Sequence, residues 1–344
     1  NCLGYNPPMP KVSILLPCYN AANYIEECLE SIHQQSFQDF EVVIIDDGST
    51  DQTAEILSKW AEKDDHFSVR RIEHSGVIEA SNAGLAKCQG EYIARMDADD
   101  LMHPDRLKKQ TALLDTNPDI DICSCLVSPA GEMREGFKLY MDWLNSLISD
   151  EDVRREIFVE SPIANPTAMI RSEVIKNFGG YQDRGWPEDY DLYLRLYSAG
   201  HKFAKVPEIL LYWRDHPTRL TRADSRYSLE NFIRAKANYL ISGPLIDRDA
   251  VIIWGAGMHG KRISKHFLRA DVNIVAFVDI DPKKIGSTRK DRPIIPPEEV
   301  MTTWENYKNP VIFSAVGARG ARQNIRERLT EMDFIEGKDW WGVA

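Results

Sequence analysis

The chain has 344 residues, which is enough for two domains of ordinary size. Hydrophobic residues make up 43% of it and charged residues 28%, so a disordered chain is excluded and packed cores are expected. The formal net charge of -11 argues against broad, non-specific binding to nucleic acid, although it leaves room for a local basic patch.

The six cysteines and the apolar runs bear on the cellular compartment. All six cysteines lie in the first half, without the second pair or histidine cluster that would indicate zinc, so we expect reduced, buried thiols. No stretch approaches the ~18 consecutive apolar residues of a membrane span. The first ten residues lack the basic and apolar segments of a signal peptide. We therefore expect a cytoplasmic protein.

Strands and helices alternate in the first hundred residues. Apolar runs predict strands over residues 11–17, 41–45, 69–72 and 92–96. Helical spacing predicts helices over residues 23–35, 53–63 and 77–87. This alternation predicts a mostly parallel sheet with helices on both faces.

The pattern is less regular from residue 101 to a linker at residues 242–244 (SGP). We expect a helix opening near residues 103–107, an amphipathic helix within 139–158, helices over 188–197 and 225–241, and strands over 161–171 and 205–213. The first predicted domain therefore spans residues 10–243.

The strand and helix pattern then restarts and predicts a second, smaller α/β domain over residues 244–344. Its predicted strands cover residues 250–254, 273–279 and 310–316. Its predicted helices follow the first strand up to about residue 269 and cover residues 321–332.

Three aspartates, Asp97, Asp99 and Asp100, follow the predicted strand over residues 92–96. Ligands of open parallel sheets bind outside the carboxyl ends of the strands. Because side chains alternate along an extended chain, Asp97 and Asp99 share one face, where two carboxylates can hold one divalent cation. The alternative is a solvated acidic turn or a helix start, where aspartate is common.

A second acidic pair, Asp46 and Asp47, ends the predicted strand over residues 41–45. A carboxylate at this edge can accept hydrogen bonds from a uracil N–H or a ribose hydroxyl, and Gly48 permits the tight turn that brings the backbone close. The alternative is an N-cap followed by a turn. Two acidic strand ends in one sheet favour a site for a nucleotide and a metal.

Four motifs in this order resemble glycosyltransferase family 2, whose members have the GT-A fold. They are residues 12–20 (VSILLPCYN), 42–51 (VVIIDDGSTD), 90–93 (GEYI) and 97–107 (DADDLMHPDRL). The resemblance covers roughly residues 10–240. It implies a GT-A nucleotide-diphospho-sugar transferase domain and an inverting displacement by an activated acceptor hydroxyl.

The resemblance also assigns the residues that bind the sugar donor. It implies that Pro17 and Asn20 line the nucleobase pocket, and Tyr19 is a further donor-binding residue. It implies that Asp47 contacts uracil, with Asp46 close by.

The same resemblance makes Asp97 and Asp99 the DxD motif that binds Mn²⁺ or Mg²⁺, and Asp97 a donor contact as well. Many members have Arg-Asn where this chain has Ser81-Asn82. In this chain the predicted contact to phosphate or ribose therefore falls on Asn82.

Residues 213–216 (WRDH) resemble the family's Arg-x-His segment. His216 can complete the metal shell or hydrogen-bond the diphosphate. Arg214, Arg219 and Arg222 can neutralise a leaving UDP. The alternative is a solvated basic loop.

An inverting transfer needs a base that takes the acceptor proton. Glu188-Asp189 matches the family's ED motif at a predicted helix start, where backbone N–H groups keep a carboxylate ionised. By that match Asp189 is the base, and Glu188 is the second candidate or an acceptor ligand. The alternative is that both acids only cap the helix.

The second domain carries a GxGxxG motif, Gly255, Gly257 and Gly260, between a predicted strand and a predicted helix. Asp279 ends the next predicted strand, as the dinucleotide fingerprint requires. The domain is about half a dinucleotide-binding fold. It is therefore a Rossmann-like α/β domain, and both nucleotide binding and a structural or docking role stay open.

Four further segments are similar to animal β-1,3-N-acetylglucosaminyltransferase-like proteins, which are assigned as galactosyltransferases acting on queuosine in tRNA. The segments are residues 141–148, 185–189, 211–214 and 275–281. This similarity implies UDP-galactose and a tRNA nucleoside acceptor, and an acceptor glycan is the broader alternative. The acidic net charge opposes RNA binding, whereas four arginines near one helix favour it, namely Arg319, Arg322, Arg326 and Arg328.

The sequence thus predicts an inverting, metal-dependent glycosyltransferase that moves a hexose or N-acetylhexosamine from a UDP-sugar to an acceptor hydroxyl. Two alternatives rest on the C-terminal domain. An NAD-dependent oxidoreductase or epimerase leaves the DxD and ED motifs unexplained, and a non-catalytic nucleotide sensor leaves the base unexplained. The sugar, the acceptor and the oligomeric state stay open.

Overall fold

The structure is a computed structural model that describes residues 9–318 and 320–344. Cys2 and Arg319 lie outside the described residues. The strands are β1 (Val12–Cys18), β2 (Phe40–Asp46), β3 (Phe67–Arg71), β4 (Tyr92–Arg95), β5 (Leu101–Met102), β6 (Ile122–Pro129), β7 (Met169–Arg171), β8 (Phe203–Trp213), β9 (Ala250–Trp254), β10 (Ile274–Val278), β11 (Thr288–Arg289), β12 (Arg292–Ile295), β13 (Pro310–Ser314) and β14 (Trp340–Gly342).

The helices alternate with these strands over most of the chain. They are α1 (Ile25–His33), α2 (Thr53–Lys63), α3 (Val77–Leu85), α4 (Arg106–Thr116), α5 (Glu135–Ser146), α6 (Asp150–Glu156), α7 (Ser172–Asn177), α8 (Glu188–Ser198), α9 (Leu220–Ala223), α10 (Leu229–Ile241), α11 (Met258–Arg269), α12 (Val300–Glu305) and α13 (Ala321–Glu331).

The chain divides into two compact units. Among the described residues, the first contains those up to 150 together with 162–183 and 199–223, and the second contains 151–161, 184–198 and those from 224 on. The second unit thus takes in two short segments of the chain before residue 200. The predicted domain boundary between residues 243 and 244 stays a prediction.

The first unit is built on a mixed sheet with the strand order β3-β2-β1-β4-β7-β6-β8-β5. The strands β3, β2, β1 and β4 are all parallel, as the alternation of strands and helices predicts. The strand β7 runs antiparallel to β4 and to β6. A continuous apolar core contains buried residues of β1, β2 and β4 and the inner faces of α1 and α4.

Two predicted elements of this region differ from the structure. The expected strand over residues 161–171 is reduced to β7, and a short 3₁₀ helix covers Asn165–Thr167. Pro162 and Pro166 lack the backbone N–H that a sheet ladder needs, which explains the shortening. The amphipathic helix expected within residues 139–158 begins earlier, as α5, and the stretch also contains α6. The strand β6 lies in a stretch for which the pattern predicted no strand.

The second unit contains a smaller sheet with the order β11-β12-β10-β9-β13-β14. Its pairs are parallel except for β11 with β12, and the three predicted strands appear as β9, β10 and β13. The helices α11 and α13 pack apolar residues against buried strand residues in two core clusters. The predicted small α/β domain is therefore confirmed.

The described part of the chain has no helix that is long and apolar enough to cross a bilayer. Of the cysteines, Cys18, Cys28, Cys88, Cys123 and Cys125 are buried free thiols, as expected.

Candidate functional site

The acidic strand ends of the first unit meet at one edge of its sheet. The strand β1 lies between β2 and β4, with Cys18 opposite Asp46 and Leu15 opposite Arg95. Because all three strands are parallel, the segments that follow them leave the sheet on the same side. These segments carry Tyr19-Asn20, Asp47-Gly48 and the aspartates of the DxD motif.

Asp97, Asp99 and Asp100 converge, with one carboxylate oxygen of each within 4.8 Å of the others. They lie in a turn after β4, and not on the extended chain that the sequence suggested. The turn brings in Asp100 as well, although alternation along a strand would place it on the opposite face. The three carboxylates are close enough to share one cation.

The pKa values of the three aspartates in this cluster are shifted in different directions. Burial and the neighbouring Asp99 raise the pKa of Asp100 well above its ordinary value. Burial also raises the pKa of Asp97, against the opposing charge of Arg95. Burial works against ionisation of Asp99 too, but the hydrogen bond from His216 and the charge of Arg219 outweigh it and lower the pKa of Asp99.

Two buried polar atoms beside the cluster have no hydrogen-bond partner among the described residues. They are Oδ2 of Asp100 and Nη1 of Arg214. The other oxygen of Asp100 accepts a hydrogen bond of 2.9 Å from the backbone N–H of Arg214. A buried oxygen without a donor is costly, and a divalent cation is one group that would satisfy it.

Residues of the segment after β8 lie beside the aspartate cluster. Nε2 of His216 lies 2.8 Å from Oδ2 of Asp99, and its ring packs 4.6 Å from the ring of Tyr24. Arg219 is 8% exposed and places its guanidinium 4.6 Å from the ring centre of Trp213. The structure thus brings His216 and Arg219 to the aspartates. Arg222 is paired with Asp215.

Arg95, in β4, forms an ion pair with Asp97, and sequence reasoning did not identify it. Its Nη2 lies 2.8 Å from Oδ1 of Asp97, and its side chain is almost fully buried. Its Nη1 also donates to the carbonyl oxygens of Leu15 and Met96. An arginine inside an otherwise apolar strand is the signal that could have identified it.

Asp46 and Asp47 are both buried at the end of β2. Oδ1 of Asp47 accepts a hydrogen bond of 2.8 Å from the backbone N–H of Ser75, and Oδ2 accepts one of 2.9 Å from that of Gly76. Nδ1 of His74 lies 2.9 Å from Oδ2 of Asp47. Asp47 therefore organises the loop over residues 74–76, which sequence reasoning did not foresee.

Gly48 explains why this loop lies so close to β2. Its φ is 73°, and a Cβ atom built at this position would lie 2.9 Å from the backbone nitrogen of His74. Only glycine fits both the backbone conformation and the contact. The predicted tight turn is confirmed.

The residues after β1 form the open side of this region. Tyr19 is 45% exposed, and its ring stacks on that of His74 with centroids 4.0 Å apart. Asn20 has a positive φ of 49° and accepts a hydrogen bond of 2.8 Å from the backbone N–H of Thr50. Pro17 is buried within β1. The pair Tyr19–His74 offers a ring surface of the kind on which a nucleobase stacks.

The side chain of Asn82, in α3, is hydrogen-bonded within the protein. Its Nδ2 donates to the carbonyl oxygen of Tyr181 at 2.8 Å, and its Oδ1 accepts from the backbone N–H of the same residue at 3.0 Å. Both ends of the amide are therefore used to hold residues 180–181. A donor contact by Asn82 stays a prediction.

The predicted catalytic acids lie in the second unit, at the start of α8 as expected. Both oxygens of Glu188 lie 2.8 Å from the hydroxyl of Tyr227, and Glu188 is 3% exposed. Burial, with the charges of Glu188 and Asp189, raises the pKa of Tyr227 well above its ordinary value. Asp189 is half-buried, and its Oδ1 accepts from the N–H of Tyr190 at 2.7 Å. Glu188 is thus held by its neighbours, and Asp189 is the more accessible carboxylate.

The glycine motif of the second unit has the geometry of a close-packed strand–helix turn. A Cβ atom on Gly260 would lie 1.9 Å from the carbonyl oxygen of Gly255, whose φ is 122°. Gly257 precedes α11, and no atom would hinder a Cβ there. The first and third glycines therefore serve the packing of β9 against α11.

Asp279 is engaged within its own unit. Its Oδ1 accepts from the backbone N–H of Asp281 at 3.0 Å, and its Oδ2 lies 2.9 Å from Nζ of Lys284 and 3.3 Å from the N–H of Ala256. Burial opposes its ionisation, but these hydrogen bonds lower its pKa. Both of its carboxylate oxygens are therefore hydrogen-bonded within the protein.

The arginines near α13 do not form a free basic patch. Arg322 and Arg326 both pair with Glu156, at 2.9 and 2.8 Å, and Arg328 pairs with Glu298. Ion-paired arginines are poorly available for phosphates. These three residues therefore lend little support to RNA binding.

Comparison with known families adds two matches. The sequence profile described as glycosyl transferase family 2 matches residues 13–179. A second profile, described as C2185-like, N-terminal, matches residues 247–338. The first match covers the aspartate cluster, and the second covers the glycine motif.

Individual relatives agree with the first match. The chain is 30% identical to the amylovoran biosynthesis glycosyltransferase AmsE of Erwinia amylovora over 202 residues, which is 58% of this chain and 74% of AmsE. It is 39% identical over 244 residues to a hyaluronan synthase of Pasteurella multocida, which is 71% of this chain but 24% of that synthase. The narrower resemblance to queuosine galactosyltransferases gains no support from these similarities.

Among solved structures, the chain resembles S. aureus TarS, crystallised in complex with UDP-GlcNAc. The TM-score is 0.56 at 22% identity, over 75% of this chain and 72% of the TarS chain. This likeness confirms the predicted GT-A fold. Together with the similarity to AmsE and the profile match, it leads to one conclusion: the chain is a glycosyltransferase that belongs to family 2.

Proposed function

We propose that the chain is an inverting, metal-dependent glycosyltransferase that moves a hexose or N-acetylhexosamine from a UDP-sugar to an acceptor hydroxyl. The observation that carries the proposal is the aspartate cluster after β4, with its carboxylate oxygens within 4.8 Å of one another. Its buried Asp100 Oδ2 has no partner among the described residues. Such an excess of close carboxylate oxygens favours a cation.

Asp97, Asp99 and His216 would hold the metal ion, Mn²⁺ or Mg²⁺. Two carboxylates and an imidazole suit Mn²⁺, whereas Mg²⁺ prefers oxygen ligands and water. When bound, the ion neutralises charge on the diphosphate leaving group. Nε2 of His216 lies 2.8 Å from Oδ2 of Asp99 in the structure, and it would exchange this hydrogen bond for the ion on binding it. Arg219 would supply positive charge, and so would Arg214 once released from its ion pair with Glu27.

Uridine is the proposed nucleoside of the donor. Pro17 lies in β1 and Asn20 follows that strand, Asp46 and Asp47 lie at the end of β2, and the exposed ring of Tyr19 supplies a stacking surface. TarS, which shares the fold, is described in complex with UDP-GlcNAc. Both observations support a UDP-sugar.

The acceptor is proposed to be a glycan, because the hyaluronan synthase among the relatives is named for a glycan. Asp189 would take the proton of the acceptor hydroxyl, and Glu188, held by Tyr227, would position the start of α8. A tRNA nucleoside such as queuosine remains the narrower hypothesis from sequence.

The test is a donor-turnover assay. The protein is incubated with UDP-glucose, UDP-galactose, UDP-N-acetylglucosamine, UDP-N-acetylgalactosamine or GDP-mannose, with Mn²⁺ or with EDTA. Release of UDP is followed without an acceptor and with methyl glycosides or queuosine. We expect Mn²⁺-dependent release of UDP from at least one UDP-sugar. Turnover of GDP-mannose alone, or full activity in EDTA, would refute the proposal.

A second candidate function, nucleotide binding in the second unit, rests on the close approach of Gly260 to Gly255. That turn leads into α11, and the N–H groups at the start of such a helix are where dinucleotide folds bind an anion. An NAD-dependent oxidoreductase or epimerase and a nucleotide sensor would both use it. Binding of NAD without binding of UDP, measured by calorimetry, would favour the oxidoreductase or epimerase.

A further inference from the structure

A stripe of aromatic side chains runs along α5. Phe137, Tyr140 and Trp143 follow one another at three-residue spacing, which places them on neighbouring turns of the helix. The ring centres of Phe137 and Tyr140 lie 6.2 Å apart, and those of Tyr140 and Trp143 lie 5.7 Å apart. All three side chains are half-buried.

The stripe lies next to the fully buried residues of α5, and its three rings pack against the edge of the apolar core. Met141 and Leu144 are the buried residues of α5 and belong to the apolar core. The amide of Asn145 hydrogen-bonds both the N–H and the carbonyl oxygen of Val127 in β6, at 2.9 and 2.8 Å. The helix is therefore held on the core, and the half-exposed aromatic rings form a preorganised surface at the edge of that core.

The stripe is continuous with the candidate active site. The ring of Phe137 lies 4.8 Å from that of Trp213, the last residue of β8, and Tyr140 lies 6.2 Å from it. The guanidinium of Arg219, whose charge acts on the aspartate cluster, lies 5.5 Å from the ring of Phe137. The rings therefore extend outward from the residues that flank the cluster.

We propose that the aromatic stripe of α5 binds the acceptor as a saccharide, by stacking sugar rings on Tyr140 and Trp143. The proposal rests on the proposed function and adds the place and the chemistry of acceptor binding. The C–H groups on one face of a pyranose are apolar, and they pack against the electron-rich face of an aromatic ring. Neighbouring rings along a helix suit a chain of sugars.

The charges of α5 favour a saccharide over an RNA segment. The helix carries Glu135, Lys138 and Asp142, so its charges do not form the cationic track that phosphates require. A neutral sugar needs no such track, because it can pack on the ring faces alone.

The test is saturation-transfer NMR, without donor or metal. Aromatic protons of the protein are saturated in the presence of the methyl β-glycosides of glucose, galactose, N-acetylglucosamine and N-acetylgalactosamine, and of guanosine. We expect transfer to the ring protons of at least one glycoside. We expect it to fall at least fivefold in Tyr140→Ala and in Trp143→Leu, which keeps apolar volume but lacks a ring face.

Leu139→Ala is the matched control, because Leu139 lies on the same helix, is 44% exposed and is outside the stripe. Its spectrum should equal that of the natural chain, and thermal unfolding should show that each variant is folded. No transfer to any glycoside, equal transfer in Trp143→Leu, or transfer to guanosine alone would overturn the proposal. Because neither UDP nor metal is present, failure here is distinct from failure of the donor-turnover assay.

Discussion

The two sheets of this chain each carry an acidic residue at the carboxyl end of a central strand, but the two acidic sites differ in how far the protein satisfies them. In the second unit, Asp279 accepts hydrogen bonds from Asp281 and Ala256 and pairs with Lys284 at 2.9 Å. In the first unit, Asp100 is buried beside Asp97 and Asp99 with one oxygen unpartnered among the described residues.

The difference shows why a strand-end motif is not by itself a site. The ionised form of Asp279 is stabilised without a ligand, since groups of its own unit lower its pKa. Asp97 and Asp100 have pKa values raised by burial and by like charge, so their ionised forms are destabilised without a further cation. The aspartate cluster is therefore the site that we expect to bind metal and donor.

The largest effect should come from Asp189, which tests whether the second unit contributes to catalysis at all. Asp189→Asn removes the proposed base, and we expect kcat for transfer to fall about 10²–10⁴-fold. Binding of UDP should persist, because the predicted donor residues lie in the first unit. Steady-state kinetics and UDP calorimetry measure the two effects. Loss of UDP binding in this variant would remove Asp189 from the role of base.

The next effect compares the two acidic strand ends directly. Asp99→Ala should lower the Mn²⁺-dependent release of UDP about 10²–10³-fold, since the leaving group loses its electrostatic stabilisation. Asp279→Ala, the matched change in the second unit, should leave that rate within about twofold of the natural chain. If the two variants lose activity equally, the contrast between the sites is wrong.

A smaller effect is expected from Arg95, which orients Asp97 at 2.8 Å from within the sheet. Arg95→Met should weaken Mn²⁺ affinity about 10–100-fold, as loss of a residue that supports a metal ligand commonly does. Arg95→Lys keeps the charge and should retain more of the affinity. A Mn²⁺ titration of activity measures both variants. Unchanged Mn²⁺ affinity in Arg95→Met would show that Asp97 is positioned without it.

The smallest effect concerns the glycine motif of the second unit and appears in stability. Gly260→Ala would place a Cβ 1.9 Å from a carbonyl oxygen and should cost about 1–3 kcal/mol of unfolding free energy. Gly257→Ala meets no atom within 4 Å and should cost about 0.5 kcal/mol or less. Chemical denaturation measures both. Equal costs would mean that the motif is not held by this contact.

Much of the fold was predictable because its signals are local. Apolar strands such as β1 and β2, and amphipathic helices such as α2, follow directly from residue periodicity. The shortened strand β7 was not predicted, because Pro162 and Pro166 had to be weighed against an apolar run. The strand β6 was missed because it lacks regular alternation, and its place depends on pairing with β7 and β8.

The candidate site was predictable where its residues share a strand end, as Asp97 and Asp99 do. It was not predictable where partners come from distant parts of the chain. His74 packs on Tyr19, and Tyr227 holds Glu188 39 positions away, but neither contact leaves a pattern in one sequence. The convergence of Asp100 depended on a turn that alternation along a strand does not describe.

The most direct test of the metal-dependent donor site is calorimetric titration of UDP into the natural chain and into Asp99→Ala, with and without Mn²⁺. We predict that UDP binds the natural chain only with Mn²⁺, and that Asp99→Ala loses this binding. If UDP binds equally with and without Mn²⁺, or if NAD binds where UDP does not, the aspartate cluster is not the donor site.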